Sequence, residues 1–356
     1  GEADQLRRDM AAWRSAGKIE KHHERLTRGM IERGIDPAFA ERVFDQIRGF
    51  GEYGFPESHA ASFALLAYIT AYLRCHHPAA FACALLNSQP MGFYSAATIV
   101  DDAKRHGVEV RPIDIERSRW DHALEDGAIR MGFRIVKGLG EKERPVLDAL
   151  PRPVADMETL VRRTGLGQKA LVALAESGAF QPWGLGRRDA LWQARGMRGV
   201  AGTLGGTAAR TQLAFAALAP EDAVLWDYQV SGHSTRGHPM ERYRAQLRHR
   251  RHPRSDELRR MPDGRRTEYV GLVITRQRPG TATGVVFLTL EDEAGFVNVV
   301  VWADVFEAHR TVAKTSTVLG VAGKVQRGEE GVVHLIAERL WPFRAGDLPS
   351  RSRDFH

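Results

Sequence analysis

A multidomain α+β protein, helical first and closed by a five-stranded β-barrel, is what this sequence predicts, on three observations. Up to about Pro90 the apolar residues recur at spacings of three and four, as in Phe39, Val43, Ile47 and Phe50, the period of a helix with one buried face. Between Phe93 and Phe180 two glycine-centred turns, Lys137-Gly-Leu-Gly140 and Gly165-Leu-Gly167, separate short helical stretches. From Glu268 the period falls to two, in five segments bounded by turn residues.

Bulk properties frame those elements. The chain has 356 residues with 43% hydrophobic content, enough for two or three cored domains. Its 51 Lys plus Arg against 44 Asp plus Glu leave a net charge of +7, and a pI near 9.6 favours a polyanionic partner. Cys75 and Cys83 are the only cysteines; both fall in apolar helical sequence, which predicts buried reduced thiols and a cytoplasmic setting. The longest apolar run, from Ala60 to Tyr72, is too short to span a bilayer. The chain opens at Gly1 without a Met, in helix-like sequence, and reads as continuing from upstream sequence.

In the first part, Gly51 to His59 breaks the periodicity with two glycines and a proline, with Ser58 as the N-cap of the following helix. A helix near Ala96 to His106, an extended piece at Val108 to Ile115 and a strand at Ala128 to Phe133 come next. The Gly/Ala/Thr-rich segment from Gly196 to Ala219 reads as a flexible linker. The five strands fall at Tyr269–Ile274, Gly284–Leu290, Phe296–Trp302, Thr317–Gly323 and Val332–Ala337, with a helical patch at Val305–Thr311 between the third and fourth. Five strands with one helix in that place are the plan of an OB-fold, which binds single strands or oligosaccharides across its sheet face.

The turn at Lys137, Gly138 and Gly140, followed by a helix expected from Glu141, fits a helix-hairpin-helix. Its glycines let backbone N–H groups approach a DNA phosphate, and Lys137 adds a full charge. Gly165 and Gly167 supply a second such turn. Ten arginines between Glu241 and Arg266 form either a phosphate-tracking surface or a solvated connector. In the barrel, alternation puts Phe296, Asn298, Val300 and Trp302 on the open face and Val297, Val299 and Val301 in the core. Phe296 and Trp302, flanked by Arg276 and Arg278, are the expected single-strand contacts, whereas Phe287 is assigned to the core. Glu291-Asp-Glu293 reads as turn acids. No acidic set suits a two-metal site, and the pairs His22-His23 and His76-His77 diverge on a helix, so no metal site and no catalytic residue is assigned.

The stretch from Gly51 to Leu65, continued by Tyr72–Phe81 and Leu85–Tyr94, resembles the fingers of the bacterial C-family DNA polymerases, the polymerase III alpha type. The Asn87–Tyr94 segment, Arg105–Pro112 and the ending Ser352–His356 resemble its error-prone branch. The resemblance implies fingers over 1–92, a helix-hairpin-helix domain over 93–185, a linker and basic connector over 186–267, an OB-fold over 268–342 and a tail over 343–356. It implies that Ser58, His59 and Arg74 face an incoming deoxynucleoside triphosphate; their structural roles would be N-cap, core histidine and helix surface. It further implies Mg²⁺ held by palm aspartates upstream of Gly1, and damage-induced translesion synthesis by the full-length polymerase. Primer-template DNA and single-stranded template are the implied partners, with accessory mutagenesis proteins and a sliding clamp as further ones. Around Gly232–Pro239 the family has a leucine-rich form, so His233 and Thr235 depart from it. The alternative is a free-standing, non-catalytic nucleic-acid-binding module of hairpins and barrel.

Overall fold

A computed structural model describes residues 22–52, 57–91, 94–197, 215–279, 284–328, 331–343 and 353–355, with only the backbone for 48–52, 57–59 and 353–355. It divides into two compact units, 1–76 and 77–356.

In the first unit, α1 (His23–Ile31) and α2 (Pro37–Glu52) form a hairpin, followed by α3 (Glu57–His76). The hairpin is pinned by His23 Nε2, 2.8 Å from Glu41 Oε2, and by the His23 ring 4.3 Å from that of Phe44. Among the described side chains of α2, Ala40 and Phe44 are the buried ones, while Phe39 is 49% exposed. The helical period was legible in Phe39, Val43 and Ile47, yet the core stripe runs one residue further round. Of the expected break at 51–59, residues 51–52 end α2 and 57–59 begin α3, with 53–56 outside the described residues, and Ser58 lies inside α3 rather than before it. Cys75 is exposed, contrary to its assignment to a core, and Cys83 is buried.

The second unit opens with α4 (Pro78–Asn87) and α5 (Ala96–Arg105). Ser95 caps α5 by accepting from Thr98 N at 3.2 Å. A three-stranded sheet of β1 (Val110–Arg111), β2 (Ala123–Glu125) and β3 (Ala128–Arg130), in the order β1-β3-β2, leads to a 3-10 turn at Phe133–Ile135. Four helices follow: α6 (Arg144–Asp148), α7 (Met157–Thr164), α8 (Gln168–Ser177) and α9 (Arg187–Gly196). After residues 198–214, which lie outside the described residues and held the expected linker, come α10 (Pro220–Ser231), α11 (Arg244–His249) and α12 (Ser255–Arg259). Ile129, Met131, Phe133, Leu147, Leu160, Leu174 and Phe180 share one core between α4 and α9. Burying each such side chain contributes roughly 1.5–3 kcal/mol. The expected helix at Glu141 starts three residues later, at Arg144. His233, one of the two departures, packs into the interior, its Nδ1 3.3 Å from Ser231 O; burial depresses its pKa and keeps it neutral.

The barrel is built from β4 (Arg266–Gln277), β5 (Val286–Asp292) and β6 (Gly295–Val301), then α13 (Ala303–Ala308) and α14 (Arg310–Thr315), then β7 (Val318–Arg327) and β8 (Val333–Pro342). The strand order β5-β6-β8-β7-β4, closed by β4 pairing β5, with β6 and β8 parallel, is that of an OB-fold. All five expected strands are present. The single helical patch is two short helices, broken at His309. The tail adds β9 (Arg353–Phe355), parallel to β4 through Thr275↔Arg353, an element that the period-two reading did not find. β5 holds one edge of β4 at these residues, so β9 continues the other edge beyond β7. Two glycines let β7 lie against β8: a Cβ on Gly320 would fall 2.0 Å from the Trp341 ring, and one on Gly323 would fall 2.1 Å from Ile336 O.

Candidate nucleic-acid interface

Of the two glycine turns, the first is already occupied by the protein's own groups. Gly140 N donates to Glu143 Oε2 at 2.8 Å, so a carboxylate sits where a phosphate oxygen would. Lys137 Nζ donates to Gln229 O at 2.7 Å and its backbone N to Val230 O at 3.0 Å, which places its charge on the C-terminal carbonyls of α10. Gly138 has φ +102°, and a Cβ there would meet Ala173 Cβ at 3.2 Å. The turn locks α8 and α10 together.

The second turn is open. Gly165 ends α7 in the left-handed conformation, φ +66°, and Gly167 starts α8 in extended conformation with no side-chain cap. A Cβ on either glycine would meet nothing within 4 Å. Leu166 between them is buried and anchors the turn. No N-cap side chain covers the N-terminus of this ten-residue helix, which carries partial positive charge. A groove of about 530 Å³ beside them is lined by Gln168, Lys169, Val172 and Arg195. The sequence signal for this turn was the glycine pair; Lys169 and Arg195 were not singled out, because only the fold brings α9 to the start of α8.

On the barrel, Val297, Val299 and Val301 are buried while Asn298 and Trp302 are exposed, as alternation requires. Register then assembles one continuous face: Phe287↔Val300, Thr289↔Asn298, Asn298↔His334, Val300↔Ile336, His334↔Gln326 and Ile336↔Lys324. Phe287 is 37% exposed and belongs to this face, not to the core, since Val286 and Leu288 on either side of it fill the interior. Three other expected contacts are committed elsewhere. Arg105 of α5 lies over the Phe296 ring, 4.5 Å from its centroid. Arg276 donates to Ala313 O at 2.7 Å and to Ser316 O at 2.5 Å, closing the end of α14. Arg278 sits 5.2 Å over the Phe306 ring, on the helix side. Trp302, 53% exposed, stays on the surface at the end of β6.

The acids between β5 and β6 do more than shape a turn. Asp292 Oδ1 accepts from Ala294 N at 2.9 Å, the turn role; it also receives Ser255 Oγ at 2.6 Å. Arg244 pairs with Asp292 at 3.3 Å and Glu293 at 2.5 Å, and Arg105 lies 3.5 Å from Glu291. Arg244, counted in the basic run, is therefore an internal clamp between α11 and the barrel, whereas Arg248, Arg250, Arg251 and Arg265 are exposed. In the first unit Arg74 is exposed on α3, and the side chains of Ser58 and His59 lie outside the described residues.

A helix-hairpin-helix domain and an OB barrel within one compact unit define a nucleic-acid-binding chain, and the comparisons agree. Residues 107–190 match the helix-hairpin-helix motif family, and residues 269–343 match the OB-fold nucleic acid binding domain family. Over its whole length the chain is homologous to proteins named error-prone DNA polymerase: 47% identical to that of Azoarcus sp. strain BH72, covering 100% of this chain and 35% of that protein. Against the one from Pseudomonas syringae pv. tomato the identity is 45%, over 100% of this chain and 36% of the relative. Error-prone DNA polymerase 1 of Agrobacterium fabrum is 46% identical over 95% of this chain and 33% of its own length. The chain thus spans about a third of the length of these relatives. No helix among the described residues is long and apolar enough to cross a membrane.

Proposed function

We propose that this chain is the C-terminal, DNA-handling part of an error-prone DNA polymerase, gripping duplex through its second hairpin and single-stranded template across its barrel. The observation that carries the reading is the pairing, within one compact unit, of an uncapped glycine-turn helix start flanked by Lys169 and Arg195 with a sheet face bearing Phe287 and Trp302. The hairpin supplies backbone N–H groups and two cations to phosphates, which positions duplex without reading sequence. The barrel offers rings on which bases stack, with Lys324 to track the backbone.

In this reading nucleotide transfer belongs to the whole polymerase. Mg²⁺ would be held by palm carboxylates outside this chain, and Ser58, His59 and Arg74 would face the incoming triphosphate. Translesion synthesis after damage, in the cytoplasm, with accessory mutagenesis proteins and a sliding clamp, belongs to the same proposal and rests on the fingers resemblance.

The test is a duplex titration at several salt concentrations with the Lys169→Ala/Arg195→Ala double variant. Each lost phosphate contact should reduce the slope of log K against log salt by about 0.9, equally for unrelated sequences. An unchanged slope removes the second hairpin from the DNA path.

A further inference from the structure

Away from the DNA-facing surfaces, one cluster of titratable side chains is buried and incompletely satisfied. Asp101 of α5, His238 in the loop after α10 and Glu291 of β5 are 7%, 5% and 2% exposed. One donor atom from each lies within 4.8 Å of the others. Neither His238 Nε2 nor Glu291 Oε1 has a hydrogen-bond partner. Buried polar atoms in this condition call for a ligand, a water or a shared proton.

A divalent cation is the first candidate for a His, Asp and Glu set, and the surrounding geometry argues against it. Met240 N donates to His238 Nδ1 at 3.1 Å, so that nitrogen carries the lone pair and the proton sits on Nε2. A protonated Nε2, 3.9 Å from Glu291 Oε2, has no lone pair with which to ligate. Lys104, 3.7 Å from Asp101, and Arg105, 3.5 Å from Glu291, already bring two cations to the pocket, where a divalent ion would meet like charge.

We propose that this cluster is a proton-sensitive latch between barrel and hairpin domain: an ionised Asp101 facing the Glu291 carboxylate pushes α5 and β5 apart, and a proton on Asp101, beside the His238 Nε2–H, draws them together. The groups facing Asp101 are Glu291, His238 and the Tyr228 hydroxyl at 3.5 Å, with Lys104 and Arg105 on its own helix. Beyond Glu291, Asp292 is held by Arg244 and Ser255. Burial first, and the Glu291 charge second, raise Asp101 from 3.8 to about 6, against the pull of the cations Lys104 and Arg105. A raised carboxyl contributes its stabilisation in full below 3.8 and loses it as pH rises to about 6.

The experiment is amide hydrogen exchange on the full chain between pH 4 and 7.5, corrected for intrinsic rates, comparing amides of Glu291–Asn298 with those of α8 as an internal control. In the parent, opening of the 291–298 segment should rise by roughly tenfold per pH unit between pH 4 and 6 relative to Asp101→Asn. That variant should be the better protected of the two at pH 7.5, and Glu291→Gln should flatten the profile in the same way. Parallel profiles in parent and variants overturn the latch, as does poorer protection of Asp101→Asn at pH 7.5, which would make the ionised Asp101 a static partner of Lys104. Protection that changes with added Zn²⁺ or EDTA in the parent but not in His238→Gln would establish a metal site instead. Failure of both neutral variants to fold would show that the charges are required, and would equally overturn the proposal.

Discussion

At the scale of the residue, the two hairpin turns show how one glycine pattern serves two ends. Gly138 is constrained twice, by φ +102° and by Ala173 at 3.2 Å, so replacing it damages packing whatever it does to DNA binding. Gly167 is constrained by neither, with φ −72° and open space around its Cβ position. It therefore separates binding from folding. Gly167→Asp places a carboxylate at the start of α8, where it accepts helix N–H groups and favours the helix by about 0.5–1 kcal/mol. The same carboxylate occupies the phosphate seat. The expected outcome is a thermal midpoint unchanged or raised, with duplex affinity lowered by roughly tenfold, about 1.4 kcal/mol, for every sequence tried. Calorimetry and anisotropy titration on the same sample check both halves; intact affinity with a raised midpoint would mean that no phosphate binds there.

At the scale of the element, the strands were read almost entirely from their period, because a sheet with one buried face forces alternation on its sequence. Phe287 was misplaced because β5 has apolar residues on both faces, Val286 and Leu288 inward and Phe287 outward, and alternation cannot say which set faces the core when both are apolar. Phe296 was placed correctly in parity and wrongly in availability, since Arg105 from a distant helix covers its ring. The two kinds of aromatic should separate experimentally. Phe287→Ala with Trp302→Ala removes two stacking platforms at roughly 1–3 kcal/mol per base, so single-strand affinity should fall by at least about tenfold with the circular dichroism spectrum intact. Phe296→Ala should leave that affinity nearly unchanged and lower the unfolding midpoint, because its loss frees Arg105 from the domain junction. Equal losses of affinity from both changes would put Phe296 back in the path of the strand.

At the scale of the whole molecule, residues 77–356 form one compact unit, with the acidic turn at 291–293 held by Arg105, Arg244 and Ser255 from three helices. The barrel is carried on the hairpin domain, not tethered to it. The chain spans about a third of its relatives' length, and among the described residues the buried acids face separate partners: Lys104 beside Asp101, Arg105 beside Glu291, Ser255 on Asp292, Arg187 on Asp227 and Gly140 N on Glu143. Two-metal phosphoryl transfer needs carboxylates converging on a shared pair of ions. We therefore expect a clean preparation of this chain, given Mg²⁺, a primed template and deoxynucleoside triphosphates, to bind the DNA and extend nothing; measurable primer extension in a gel assay would refute this.

The sequence by itself determined the class of each domain, the five barrel strands, both hairpin turns and the inward valines of β6, because period and turn chemistry are local properties that the backbone must obey wherever the chain folds. Only the tertiary structure decided which of those groups remain available to a partner. Lys137, Phe296 and Arg276 had the right chemistry for nucleic acid, and each is satisfied by a residue far away in the chain: Gln229, Arg105 and Ser316; Gly140 is satisfied inside its own turn by Glu143. Lys169 and Arg195 drew no notice in the sequence and meet beside an open helix start. A donor's vacancy depends on which neighbours the fold delivers to it, and those long-range pairings leave no periodic mark in the sequence.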